Sequence, residues 1–143
     1  MSGKEYLEQV YRFHQRILSK EAELESYRDL SMSISGSGYE RNYNATRNTD
    51  PPYVKYSNKI MDIEREIKTD QAELGNLKYA VGLEIDRLES VNERMVLRYR
   101  YLMFMTWGEV AKKLHYSKRW VIRIHDRAIF NFERMMEEKK DEL

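Results

Sequence analysis

The sequence predicts an all-α protein, with a long N-terminal helical hairpin or coiled coil followed by a small C-terminal helix-turn-helix domain. Three observations lead there. Apolar residues between Tyr56 and Val91 recur on one heptad seam. Near the C-terminus a Thr/Glu pair opens a short helix, which breaks and is followed by a second one. Only 6 Gly and 2 Pro occur in 143 residues, and 34% of residues are charged. That balance suits long helices and leaves little for a large globular core.

The first helix is expected from Lys4 to about Ser31. Val10, Phe13, Ile17, Leu24 and Tyr27 keep three-four spacing, and Leu7, His14 and Leu18 widen the stripe. Lys20 interrupts it. Such a helix needs a partner for its apolar face. His14 reads as a flank of that stripe rather than a metal ligand, because no second ligand is spaced with it.

Residues 32–52 read as a flexible linker. The run from Ser31 to Gly38 is rich in Ser and Gly, and Asp50-Pro51-Pro52 is a stop signal. Tyr39, Arg41, Tyr43, Arg47 and Tyr53 interleave aromatic and basic groups, a pattern that can track single-stranded nucleic acid. A solvated linker whose tyrosines fold onto neighbouring helices is the favoured reading, since a helix-turn-helix binds duplex.

A second helix is expected from Tyr56 to Val91, about 54 Å long. Ile60, Ile63, Ile67, Leu74, Leu77, Val81, Leu88 and Val91 share the seam, and only Asp70 and Glu84 violate it. Gly75 and Gly82 stand seven apart on one side. Each costs about 1 kcal/mol against Ala in a helix, so either another helix approaches closely there or the cost is tolerated. The seam closes within the chain or between chains. The second helix outruns the first by several turns, so a homo-oligomer, a dimer or larger, is expected to cover the remainder. Residues 1–91 would then form an oligomerisation region, and residues 92–143 a DNA-binding domain.

In the latter, Thr106 and Glu109 have capping-box spacing. Val110, Ala111 and Leu114 lie on one face, and Ala111 lets a second helix approach. His115-Tyr116 breaks the pattern. Ser117 caps the next helix, whose stripe is Val121, Ile124, Ala128, Ile129 and Phe132. Met95, Val96, Tyr99, Leu102, Met103 and Phe104 would complete the core. Trp107 and Trp120 read as packing residues of the rim. Lys118, Arg119, Ile122 and Arg123 are left facing outward, at the end that enters the major groove in a helix-turn-helix. Ser117 and free amides would hold a phosphate. Arg119 and Arg123 can each pair both acceptors of guanine, and Ile122 can meet a thymine methyl. Arg127, Lys112 and Arg98 suit phosphates. Residues 93–134 hold ten Lys/Arg and four Asp/Glu, a local charge of +6 within a total of +1. A basic module on an acidic remainder fits double-stranded DNA as partner.

Other chemistry has little support. There is no phosphate-cradling glycine loop, no zinc-binding His/Glu pair on one helix and no Gly-flanked serine elbow. Cys is absent. No cofactor, no metal and no catalytic residue are expected, and an enzyme is disfavoured. No apolar run approaches membrane-spanning length, and residues 1–5 lack a signal-peptide core. The expectation is a cytoplasmic protein of a bacterial host cell, with no membrane partner.

The stretch from Thr106 to Val121, continued by Arg123 to Ile129, resembles region four of bacterial sigma factors. The segment from Glu93 to Tyr101 resembles that region's preceding helix. Behind a long coiled segment in a short chain, the whole is similar to ArpU/RinA-type phage transcriptional regulators. The specific match covers about forty residues. His115 stands where the family turn commonly has glycine. The resemblance implies a phage or prophage activator of late genes, with host RNA polymerase as a second partner. Two alternatives stay open: a small terminase subunit, and a sigma-like module that docks on polymerase without touching DNA.

Overall fold

The structure, a computed structural model, describes residues 1–34 and 52–142. Most of the expected linker, with Tyr39, Arg41, Tyr43 and Arg47, lies outside the described residues. Within them the protein is all-α, and no strand occurs. Five helices are α1 (Gly3–Ile34), α2 (Pro52–Ile85), α3 (Val91–Leu97), α4 (Trp107–Leu114) and α5 (Lys118–Glu142). A π-turn, Arg98–Leu102, follows α3 directly. Among the described residues no helix is long and apolar enough to cross a membrane.

Both long helices depart from their expected bounds. α1 runs three residues further than expected, through Met32 and Ser33 to Ile34. α2 begins at Pro52, four residues before Tyr56. Pro is favoured at a first helical position, where its missing N–H has no partner to lose. α2 ends at Ile85 rather than continuing to Val91. The cause is a second start signal. Ser90 sits in extended backbone and accepts the amide of Glu93 at 3.3 Å, which nucleates α3. Val91 is therefore the first residue of α3 and is 57% exposed, so it is not part of the seam.

The chain divides into two compact units, and the boundary does not fall after residue 91. One unit is Gln15–Glu73. The other joins Met1–His14 to Leu74–Leu143.

In the first unit α1 and α2 run antiparallel. Arg16 donates to Asp70 at 2.6 Å, Lys20 to Asp70 at 2.7 Å and Arg28 to Glu64 at 3.0 Å. Tyr27 tilts against Tyr56. Ile17, Leu24, Ile63 and Ile67 are buried beneath these pairs. Asp70, a polar break in the heptad pattern, is buried too. The guanidinium of Arg16, with the ammonium of Lys20, holds its carboxyl below the usual carboxylate range. The break is thus an inter-helix ion-pair site rather than a defect, and Lys20, the interruption in α1, is its other half.

In the second unit Leu74, Val81, Ile85 and Leu88 are buried within one chain. Leu77 is half-buried there, as is Ile60 in the first unit. The ground for expecting a homo-oligomer, a seam left uncovered in the monomer, is removed. α1 at 32 residues and α2 at 34 are nearly equal in length. The glycine expectation changes as well. A Cβ at Gly75 would meet nothing within 4 Å, and one at Gly82 would meet Leu102 Cδ1 at an ordinary 3.7 Å. The close approach is at Gly3 instead, where a Cβ would stand 2.8 Å from Glu133 Cγ and 3.0 Å from Phe132 Cδ1.

The first turns of α1 are seated on α5. Ser2 and Glu5 form a reciprocal cap, Lys4 N donates to Glu133 at 3.2 Å, and Tyr6 stacks on Phe132. Phe132 is fully buried. The core beneath α4 and α5 is Val96, Val110, Ala111, Val121 and Ile124, flanked by Tyr99, Met105, Trp107 and Leu114. Met103 is 53% exposed and does not join it. Phe104 does not either. It holds left-handed backbone, φ 58°, and its ring lies parallel on that of His14 at 3.9 Å with Lys78 over it. That backbone is unfavourable for a bulky residue, so the stack with α1 and α2 side chains helps to hold the turn into α4.

Candidate nucleic-acid interface

The site is built outward from two capped helix starts. Thr106 Oγ1 accepts the amide of Glu109 at 3.2 Å, and the Glu109 carboxylate takes the Thr106 hydroxyl at 3.0 Å and the Thr106 amide at 3.4 Å. This reciprocal cap fixes where α4 begins. At its far end His115 is left-handed, φ 59° and ψ 38°. The amide of Tyr116 reaches Ala111 O, and that of His115 reaches Lys112 O. These two bonds are a Schellman close, which needs positive φ at its central residue. Histidine holds the place that glycine commonly takes and bears some steric cost there. Ser117 Oγ then accepts the amide of Trp120 at 3.2 Å and starts α5.

α5 has two faces. Val121, Ile124, Ala128 and Phe132 are buried, as the three-four spacing requires. Lys118, Arg119, Ile122, Arg123 and Arg127 are exposed. Lys112 on α4 and Ser117 in the turn are exposed as well. Among the described residues the Lys112, Lys118, Arg119, Arg123 and Arg127 side chains make no ion pair. Five cations are therefore free to meet an external anion. Arg98 differs: its guanidinium is bonded to Asp86 at 2.6 Å, and it would have to give up that carboxylate to reach a phosphate.

Three residues at this site escaped the sequence reading, and a fourth, Trp120, was given a packing role. Asp126 lies on the exposed face, its side chain 75% exposed, one helical turn beyond Ile122 and Arg123. Its signal was available, since 126 follows 122 and 119 at helical spacing. Trp120, expected to pack, is 42% exposed beside the same face, and Phe130 is 63% exposed one turn beyond Asp126. His125, in contrast, is buried. Its Nε2 lies 2.7 Å from the Tyr101 hydroxyl, its Nδ1 is 3.5 Å from Asp126, and the Trp107 ring meets it edge-on. Burial pushes the His125 pKa down and drives the Tyr101 phenol up to about 12. Both groups are accordingly neutral near pH 7. His125 anchors the inner face of α5 against the π-turn.

Glu93 anchors the other side. It is buried and accepts from Asn131 at 2.8 Å, tying α3 to α5. Among the described residues no cluster of His, Asp or Glu could hold a metal ion. Comparison with protein-family models, curated proteins and solved structures finds no match for this chain.

Proposed function

We propose that the protein is a sequence-specific, duplex-DNA-binding transcriptional regulator, encoded by a phage or prophage and acting on late genes. The observation that carries this reading is the exposed start of α5. Among the described residues Lys118, Arg119 and Arg123 make no ion pair, and the opposite face of the helix is fixed in the core by Val121, Ile124 and Ala128. In this reading the antiparallel α1 and α2 are the long hairpin. The capped α4, the left-handed His115 and α5 form the helix-turn-helix, with α5 in the major groove. Late-gene control is supported by the resemblance to ArpU/RinA-type regulators and to sigma region four. Host RNA polymerase is a further proposed partner on the same ground.

Ser117 and the first amides of α5 would hold one phosphate, and Lys112 and Arg127 others. These contacts place the helix without reading sequence. Arg119 and Arg123 would read guanine edges and Ile122 a thymine methyl. The experiment selects bound fragments from phage and host DNA, then titrates matched and scrambled sites at two salt concentrations. Arg119→Ala or Arg123→Ala should lose about 1–3 kcal/mol of preference at one base pair. Lys112→Ala should weaken all sequences alike and lower the salt slope by about one. Full site preference in both arginine variants, with the fold intact, would overturn the groove-reading assignment and favour docking on polymerase.

A further inference from the structure

We infer that a cavity on the inner side of α5 is a binding site for a small planar anion, an aromatic carboxylate. The cavity holds about 370 Å³, within the usual range for small-molecule sites. Its walls come from the first turns of α1, the π-turn, the start of α4 and the inner face of α5. All of these belong to the unit that joins Met1–His14 to Leu74–Leu143. The exposed Lys118–Arg123 face takes no part in it.

Charge and shape both select the ligand. Lys4, Arg12 and Arg100 line the cavity against one carboxylate, Glu8. Glu8 pairs with Arg12 at 3.7 Å. Two cations are left over. The Lys4 ammonium makes no ion pair among the described residues. Arg100 is held in place by its bond to Met105 O at 2.9 Å and by stacking over the Trp107 ring at 4.4 Å. One of its five donors is used, and the rest are available to a carboxylate in a fork already oriented. The remaining lining is aromatic: Trp107, the buried Tyr101 and the exposed Tyr11. Tyr101 and His125 close the inner end, joined by their 2.7 Å hydrogen bond and neutral. A ring body against these surfaces, with its carboxylate toward Lys4 and Arg100, satisfies both the apolar wall and the unpaired cations.

The site does not rest on the DNA-binding reading, and its test uses the full chain without DNA. Benzoate is titrated by calorimetry, and the Trp107 indole is followed by NMR. Benzamide, the same ring without the charge, is the comparison. Benzoate should bind saturably at one per chain and shift the Trp107 indole signal, with benzamide at least about tenfold weaker, as loss of a charge-assisted bond implies. Lys4→Gln should weaken benzoate by about tenfold or more. That variant leaves the fold unchanged, because only the Lys4 backbone amide is used, by Glu133. Three results would each overturn the proposal: no saturable benzoate binding, equal affinity for benzamide, or unchanged affinity in Lys4→Gln.

Discussion

Three glycine-to-alanine substitutions should divide by sign. In a helix interior alanine is favoured over glycine by about 1 kcal/mol. At Gly75 an added Cβ meets nothing within 4 Å, so Gly75→Ala should gain that amount in full. At Gly82 the methyl touches Leu102 Cδ1 at 3.7 Å, an ordinary contact, and the gain should be similar. Gly3 reverses the balance. The methyl would stand 2.8 Å from Glu133 Cγ, 3.0 Å from the Phe132 ring and 3.3 Å from Glu133 Cα. The Glu133 side chain can swing aside, but only by dropping the Lys4 amide. Phe132 is fully buried and cannot give, nor can backbone. Overpacking of this kind costs about 1–3 kcal/mol, and at a helix start some of it is relieved by lifting the first turn. Urea titrations of the three variants read the result as midpoint shifts at constant slope. Thermal midpoints should move by roughly 2–8 °C per kcal/mol, up for Gly75→Ala and Gly82→Ala and down for Gly3→Ala. Loss of stability at Gly75 and Gly82 would refute the reasoning. A second copy packed on that face, as the homo-oligomer expectation has it, would produce that loss.

The other predictions follow from burial and charge. Leu74→Ala should lower stability by about 2–5 kcal/mol without changing the mass seen by light scattering, because Leu74 is buried within one chain; a drop in mass would return the seam to an inter-chain role. Asp70→Asn should lose stability at neutral pH and match the parent in acid. The Asp70 pKa is lowered by Arg16 and Lys20, so its contribution is present above 3.8 and lost as pH falls through the folded value; a pH series of urea midpoints checks this. His125 has a folded pKa below 6.5, so stability should be full above that value and decline as pH falls toward the folded value. His125→Phe should flatten the thermal-midpoint profile between about pH 7 and pH 5.

What the sequence disclosed was what is local. The Thr106–Glu109 cap, the Ser117 start and the stripe from Val121 to Phe132 are each settled within one or two turns, and each appears where spacing puts it. His115 was marked only by the resemblance, which puts it where the family turn commonly has glycine; its positive φ is a finding of the structure. One local signal was overlooked: Ser90 and Glu93 have the spacing of Thr106 and Glu109 and mark the break between α2 and α3. The remaining departures are long-range. No pattern in the first residues marks Gly3 as the seat for Phe132, nor could spacing reveal that His14 receives Phe104. Asp70 read as an error in the heptad because its two partners lie on another helix. At the candidate site the exposed cations of α5 were legible from the stripe that leaves them outside, while the Asp86 partner of Arg98 was not.

The seating of the amino-terminal turn on α5 has a consequence for the order of assembly. Lys4 and Glu133 are 129 positions apart in sequence. At about 5–20 residues per second, a ribosome needs roughly 6–26 s to make the one after the other. Throughout that interval Gly3 and Tyr6 lack the surface they finally touch. Contacts so distant carry a loop-closure cost that must be met before they add any stability. The pairing of α1 with α2 needs only the first part of the chain, whereas the unit carrying α5 is completed when both extremities have met. A fragment cut at residue 91 would separate them, leaving Phe132 bare of the Tyr6 ring.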